Sequence, residues 1–146
     1  MDALAIRVLL ARAPGLGAVH VQALLAAADA RLEHILDPRT LAQAGIPPQA
    51  RGFLSNPDTT ALRPDVEWML ASGAALLLST DALYPIQLLE TPDPPATLFV
   101  LGDPRHLRTP QLAMVGSRSP TPCGRRIARD FAASFSRSGL TITSGL

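Results

Sequence analysis

Gly116, Ser117 and Arg118, followed by Gly124 and Arg125, are the residues of this chain whose types and spacing could do chemistry. Glycine has no Cβ, so a ligand can come close to its backbone. Serine offers a hydroxyl, and arginine a planar fork of N–H donors suited to phosphate. Pro120 and Pro122 restrict the loop between the two glycines. Gly124 opens a helix whose first amide N–H groups have no intrahelical acceptor and would point toward an anion. The pattern is not G-x-G-x-x-G, and it is not a P-loop, because no Gly-Lys-Ser/Thr follows. The expected site is a phosphate seat built from Gly116, Ser117, Arg118, Gly124 and Arg125. The alternative is a structural strand-to-helix turn on which Arg118 is merely solvated.

The elements that would position this loop can be read on either side of it. Leu112 to Val115 is an apolar run bounded by Pro110 and Gly116, which suggests a parallel strand buried on both faces. Ile127, Ala128, Phe131, Ala132 and Phe135 recur at helical spacing, and Gly139 supplies a stop. Leu140 to Thr143, with three β-branched residues, is a second strand. Strand, loop, helix and strand make a βαβ unit, the opening of a doubly wound nucleotide- or phosphate-binding sheet.

Little else in the chain suggests catalysis. Ser117 has no histidine near it in sequence, and the three histidines lack ligand spacing, so no catalytic residue, metal site or cofactor is expected. Cys123 sits where a helix dipole would favour thiolate but has no base or resolving partner; a small buried or half-buried side chain is expected. One cysteine permits no internal disulfide, which fits the cytosol. No apolar run is long enough to span a bilayer, and no signal segment is evident. A charged fraction of 17% with 47% apolar residues indicates a globular protein.

Net charge is +1, but it is unevenly spread. Residues 1–103 carry six arginines against eleven acids, whereas residues 104–146 carry seven arginines against Asp130 alone. That asymmetry points to an anionic partner for the C-terminal part; the alternative, favoured for any one of Arg125, Arg126, Arg129 and Arg137 but not for the loop residue Arg118, is the solvated face of an amphipathic helix. All thirteen basic Lys/Arg positions are arginine.

The N-terminal half reads as helical. Asp2 can cap a first helix through Leu10, which stops at Pro14-Gly15-Leu16-Gly17, and a second helix presents Val19, Val21, Leu24 and Leu25. Helix, Pro-Gly-apolar-Gly turn, helix resembles a helix-hairpin-helix module, in which turn amides meet a nucleic-acid phosphate. The same pattern makes a tight corner without a ligand, and the acidic surroundings argue for the corner. Short helical pieces are expected over 31–36, 40–44 and 49–54, then a helix over 65–71 with Val66, Met69 and Leu70 for packing and Trp68 in a core or interface. Strands follow at 75–79 and 97–101, with a short helix from Tyr84-Pro85 to about Leu89 between them.

Taken together, Val115-Gly116-Ser117-Arg118, Gly124, Gly139 and Ser144-Gly145-Leu146 resemble the bacterial DNA processing protein A family (DprA, also called Smf). The resemblance extends upstream through Asp81, Tyr84-Pro85, Leu88, Pro94-Pro95, Leu98 and Leu101-Gly102. Cys123-Gly124 departs from the family's usual Tyr-Gly. The resemblance implies an α + α/β fold: a small helical, sterile-alpha-motif-like domain over 1–72, then the beginning of an extended Rossmann doubly wound sheet over 73–146, truncated where the chain stops. It implies a cytoplasmic, non-enzymatic protein that binds incoming single-stranded DNA in natural transformation and helps load the RecA recombinase, here an incomplete fragment. The family's homodimer surface is expected to be missing. On this reading the fragment alone would bind DNA poorly, with a protease-resistant piece near 1–72 and a labile remainder. The alternative is a Rossmann enzyme acting on nucleotides, such as a nucleoside-monophosphate hydrolase.

Overall fold

The computed structural model describes residues 1–145; Leu146, the last residue of the Ser144-Gly145-Leu146 run, lies outside the described residues. The architecture is mixed, with seven α-helices and four short strands among the described residues. Contacts divide the chain into two units, Met1–Pro104 and a second that begins at Arg105.

In the first unit the helices are α1 (Ala3–Arg12), α2 (Ala18–Ala27), α3 (Pro38–Gln43), α4 (Pro48–Ser55) and α5 (Thr59–Ser72). A single 3₁₀ turn over Leu32–His34 stands where a helical piece is expected. Asp2 caps α1 as its side chain predicts, accepting from the Ala5 N–H at 2.7 Å. Leu9 and Leu10 of α1 and Val21 and Leu24 of α2 are buried, and Ile35, Leu41, Leu54 and Met69 close the core around them. Each such side chain contributes about 1.5–3 kcal/mol on leaving water. Val19 and Leu70, by contrast, are exposed.

Helix α5 begins six residues before the expected start and carries Pro64 inside it. Proline has no N–H to give to the Thr60 carbonyl, which argues for a break there. Two features outweigh it: Asp58 caps the helix, accepting from Thr60 N–H at 3.0 Å and Ala61 N–H at 3.3 Å, and Leu62 is buried in the turn just before the proline. Gly73 ends α5 in the left-handed region, at φ 67°.

Strands β1 (Ala75–Leu78) and β2 (Thr97–Val100) pair antiparallel, with Ala75 opposite Val100 and Leu78 opposite Thr97. Leu76 and Leu78 join the core built by the helices. Between the strands, Pro85 leads into α6 (Ile86–Leu89). Tyr84 is buried, and its hydroxyl donates to the Pro95 carbonyl at 2.6 Å; burial pushes that phenol's pKa up. Trp68 is about half exposed and meets the Phe99 ring edge-on, with centroids 6.4 Å apart.

The second unit is a βαβ element. Strand β3 (Gln111–Ala113), helix α7 (Pro122–Arg137) and strand β4 (Thr141–Thr143) follow in order, and the strands are parallel, with Leu112 opposite Ile142. The Met114 N–H extends the ladder to the Thr143 carbonyl at 2.8 Å, after which the chain leaves it. Gly139, at φ 89°, reverses the chain after α7. Leu140 N–H reaches back to the Phe135 carbonyl at 3.1 Å and Gly139 N–H to that of Ser136 at 3.0 Å, so the stop is a Schellman motif.

The expected burial of the first strand on both faces is not met. Leu112 is only half-buried and Val115 is 93% exposed. A two-stranded parallel ladder offers each strand one neighbour, and burial on both faces needs more cover than that. On α7 the apolar residues Ile127 and Phe131 likewise stay about half exposed.

Candidate functional site

The loop between β3 and α7 is held at its two ends and open between them. Its start is fixed by the ladder through Met114. Its end is fixed by Thr121, the N-cap of α7, whose hydroxyl accepts from the Gly124 N–H at 3.1 Å. Pro122 follows at the first helical position, where a missing N–H costs nothing. The signal Thr-Pro just before a helical pattern was available in the sequence, and Thr121 is the site residue that sequence reasoning overlooked.

That cap changes the inventory of free amides. Pro122 has none, Gly124 gives its own to Thr121, and Arg125 N–H bonds to the Thr121 carbonyl at 2.9 Å. The Cys123 N–H is therefore the amide of this turn with neither a cap nor an intrahelical acceptor. Gly124 serves the cap as well: a Cβ there would lie 3.3 Å from the Thr121 hydroxyl oxygen. Cys123 itself is exposed, which corrects the expected burial. Thr121 to Phe131 are all exposed, so nothing packs over that turn.

Gly116, Ser117 and Arg118 stand on the same open loop and are all exposed. A Cβ at Gly116 would meet nothing within 4 Å, and its φ is not in the left-handed region. Neither backbone strain nor crowding therefore calls for glycine at 116. The Ser117 hydroxyl accepts from the Ser119 N–H at 3.1 Å, a local turn that tightens the loop and leaves the hydroxyl proton available. Arg118, Arg125 and Arg129 make no ion pair with an acid among the described residues. The structure thus puts Gly116, Ser117 and Arg118 on one loop, and Gly124 and Arg125 on the helix turn that ends it.

A shallow groove of about 380 Å³ lies beside this turn, lined by Pro120, Pro122, Arg125, Arg126 and Arg129. Arg126 extends back along the helix, its Nη2 3.9 Å from the Cys123 sulfur. No group of three or more His, Cys, Asp or Glu that could hold a metal ion occurs among the described residues. No helix described is long and apolar enough to cross a membrane.

The Pro14–Gly17 turn shows a different arrangement. Gly15 adopts φ 72°, and a Cβ there would lie 2.7 Å from the Gln49 side-chain nitrogen. Gly17 donates its N–H to His20 Nδ1 at 3.1 Å. The glycines are thus used by the corner itself, and Gly17's amide has an internal acceptor.

Two of the upstream residues that carry the family resemblance also prove structural. Asp81 receives both terminal nitrogens of Arg7, Nη2 at 3.0 Å and Nη1 more closely, and accepts from the Leu78 N–H at 2.9 Å. Arg7 Nη1 also donates to the Leu76 carbonyl at 3.0 Å. This clasp joins α1 to β1. Tyr84, as described above, locks the connector through Pro95.

Residues 75–146 match the family described as DNA recombination-mediator protein A. The chain is 39% identical over 118 residues to protein Smf of Escherichia coli (strain K12), a match that covers 80% of this chain and 31% of that protein. A Synechocystis protein Smf is 39% identical over 74 residues, covering 48% of this chain and 19% of its own length. The Bacillus subtilis DNA processing protein DprA is 38% identical over 64 residues, covering 43% and 22%. The chain therefore spans about a third or less of the length of the curated relatives it matches. No solved structure matches it.

Proposed function

This chain belongs to the DprA/Smf family of DNA recombination mediators, and from that premise we propose that it carries part of a single-stranded DNA-binding site whose core is the β3–α7 loop. Gly116, Ser117 and Arg118 hold a backbone phosphate there. Arg118 supplies the paired N–H donors, the Ser117 hydroxyl a further one, and the bare backbone of Gly116 lets the phosphate approach. The Cys123 N–H and Arg125 add donors from the helix turn that Thr121 and Gly124 shape. Recognition through phosphate is independent of base sequence, which suits a protein that must coat any incoming strand.

The observation that carries this reading is Gly116. Its Cβ position is open and its backbone conformation is ordinary. Internal packing gives no account of it, as it gives none of Gly52; what sets Gly116 apart is its place on an exposed loop beside Ser117 and Arg118, where a bare backbone admits a phosphate. The arginine excess after residue 104 supports the same polarity of partner. As part of this proposal, the protein acts without catalytic turnover, in natural transformation, and passes single-stranded DNA to the RecA recombinase. The division into a sterile-alpha-motif-like module over 1–72 and an extended Rossmann module from 73 belongs to it too; the parallel β3–α7–β4 unit is what supports the second.

Arg118→Ala tests the reading through the salt dependence of binding to a thymidine oligomer. Loss of one phosphate contact on a single strand flattens the log–log slope by about 0.7 and weakens all sequences equally. Arg118→Lys restores the slope but only part of the affinity, because the planar fork is gone. An unchanged slope and affinity in the folded Arg118→Ala protein refute the site. Release of free base from nucleoside monophosphates would instead favour the nucleotide-hydrolase alternative.

A further inference from the structure

The groove beside the α7 N-terminal turn, walled by Pro120 and Pro122 and rimmed by Arg125, Arg126 and Arg129, has a composition the loop reading does not require. At about 380 Å³ it is a shallow groove open to solvent rather than an enclosed pocket. Pro120 and Pro122 bring ring carbon to its wall, and arginine stems bring methylene carbon, while the guanidinium heads supply charge. Residues 122, 125, 126 and 129 fall on one face of a helix, because three- and four-residue spacings stack along it. That face lies across the helix axis from Ile127 and Phe131. Three arginines brought together in this way repel one another, and no acid among the described residues pairs with them. Nothing in the internal packing rewards this arrangement, since every one of these arginines is exposed.

We propose that this groove is a nucleotide subsite, taking one unstacked nucleotide of a single strand with its base against the proline rings and its flanking phosphates on Arg126 and Arg129. The inference rests on the single-stranded DNA reading above and extends it along α7. Carbon-lined walls distinguish the groove from a bare phosphate patch, which would need only charge. A nucleotide within a duplex keeps its base stacked and paired, so the groove selects the single strand. Arg125, shared by the rim and the loop site, links the two.

Cys123 makes the test direct, because it is the sole cysteine, is exposed and touches Arg126. Binding of a thymidine oligomer to the chain should slow alkylation of Cys123. Arg126→Gln/Arg129→Gln should abolish that protection and flatten the salt slope of binding by about 1.4, two phosphate contacts on a single strand. Pro120→Ala should leave the slope alone. It should reduce the preference for the thymidine oligomer over an abasic deoxyribose-phosphate strand by roughly fourfold to fifteenfold, the weight of one to both of the ring methylenes that the substitution removes. Helical circular dichroism confirms that each variant is folded. If Arg126→Gln/Arg129→Gln keeps the slope while Arg118→Ala flattens it, the groove is refuted and the loop site stands. If the arginine pair flattens the slope and Arg118→Ala does not, the groove stands and the loop site falls. Equal affinity of the wild-type chain for thymidine and abasic strands refutes the base-docking role. The chain, although expected to bind weakly, should still hold either strand at low salt, where phosphate contacts are strongest; no binding of either there refutes both.

Discussion

Removing the Asp81 carboxylate should weaken the first unit by more than any surface ion pair could. Asp81→Ala deletes the paired contact with Arg7 and strips the Leu78 N–H of its acceptor. A hydrogen bond to a charged group is worth about 1.5–3 kcal/mol, and an orphaned buried amide costs about 1–3 kcal/mol. The two side chains are 27% and 25% exposed, so water recovers part of each term, and the lower halves of these ranges apply. The expected loss is about 2–4 kcal/mol. Asp81→Asn, which still accepts from Leu78 but cannot pair as an anion, should lose about half as much. Urea unfolding followed by helical circular dichroism and by emission of Trp68, the sole tryptophan, measures both. An Arg7→Ala/Asp81→Ala double-mutant cycle should give a coupling of about 1–2 kcal/mol. A loss below about 0.5 kcal/mol for Asp81→Ala, the scale of an ordinary surface change, together with no coupling, would refute the clasp.

Two glycines should behave in opposite ways. Gly15→Ala forces a side chain into the left-handed region and against Gln49, costing about 1–2 kcal/mol of stability, whereas Gly116→Ala should leave stability within about 0.5 kcal/mol and weaken DNA binding; thermal unfolding and anisotropy separate them. Asp58 should give the first unit an acid limb. Its carboxylate accepts from the Thr60 hydroxyl and from the Ala61 and Thr60 amides, which hold its pKa below the usual value. The stabilisation is therefore full above the unfolded-state value of about 3.9 and fades as pH falls through the lower folded value. Asp58→Asn caps without titrating, so its helical signal should lose less between neutral and acid pH than the wild type.

What was legible in the sequence was local. Asp2 and Gly139 act within a few residues of themselves, and the helix ends they mark fall where capping chemistry puts them. The β3–α7–β4 order was legible because strand and helix periods differ. The start of α5 was not, since Pro64 signals a break and only Asp58 and buried Leu62 overrule it. Nor was the role of Asp81, whose partner Arg7 lies 74 positions away. At the site, residue types identified the loop, but not which amides remain free: that depends on Thr121 turning back to cap Gly124. Cys123 looked like a packing residue because the sequence cannot show that the first turns of α7 stand uncovered.

The central claim is that single-stranded DNA meets this chain at the β3–α7 loop, and mapping of amide signals by nitrogen-15 NMR during titration with a thymidine oligomer tests it most directly. The account predicts saturable shifts at Gly116, Ser117, Arg118, Cys123 and Arg125, with Gly15, Leu16 and Gly17 unmoved. Shifts confined to the Gly15–Gly17 turn, with the β3–α7 loop silent, would contradict it.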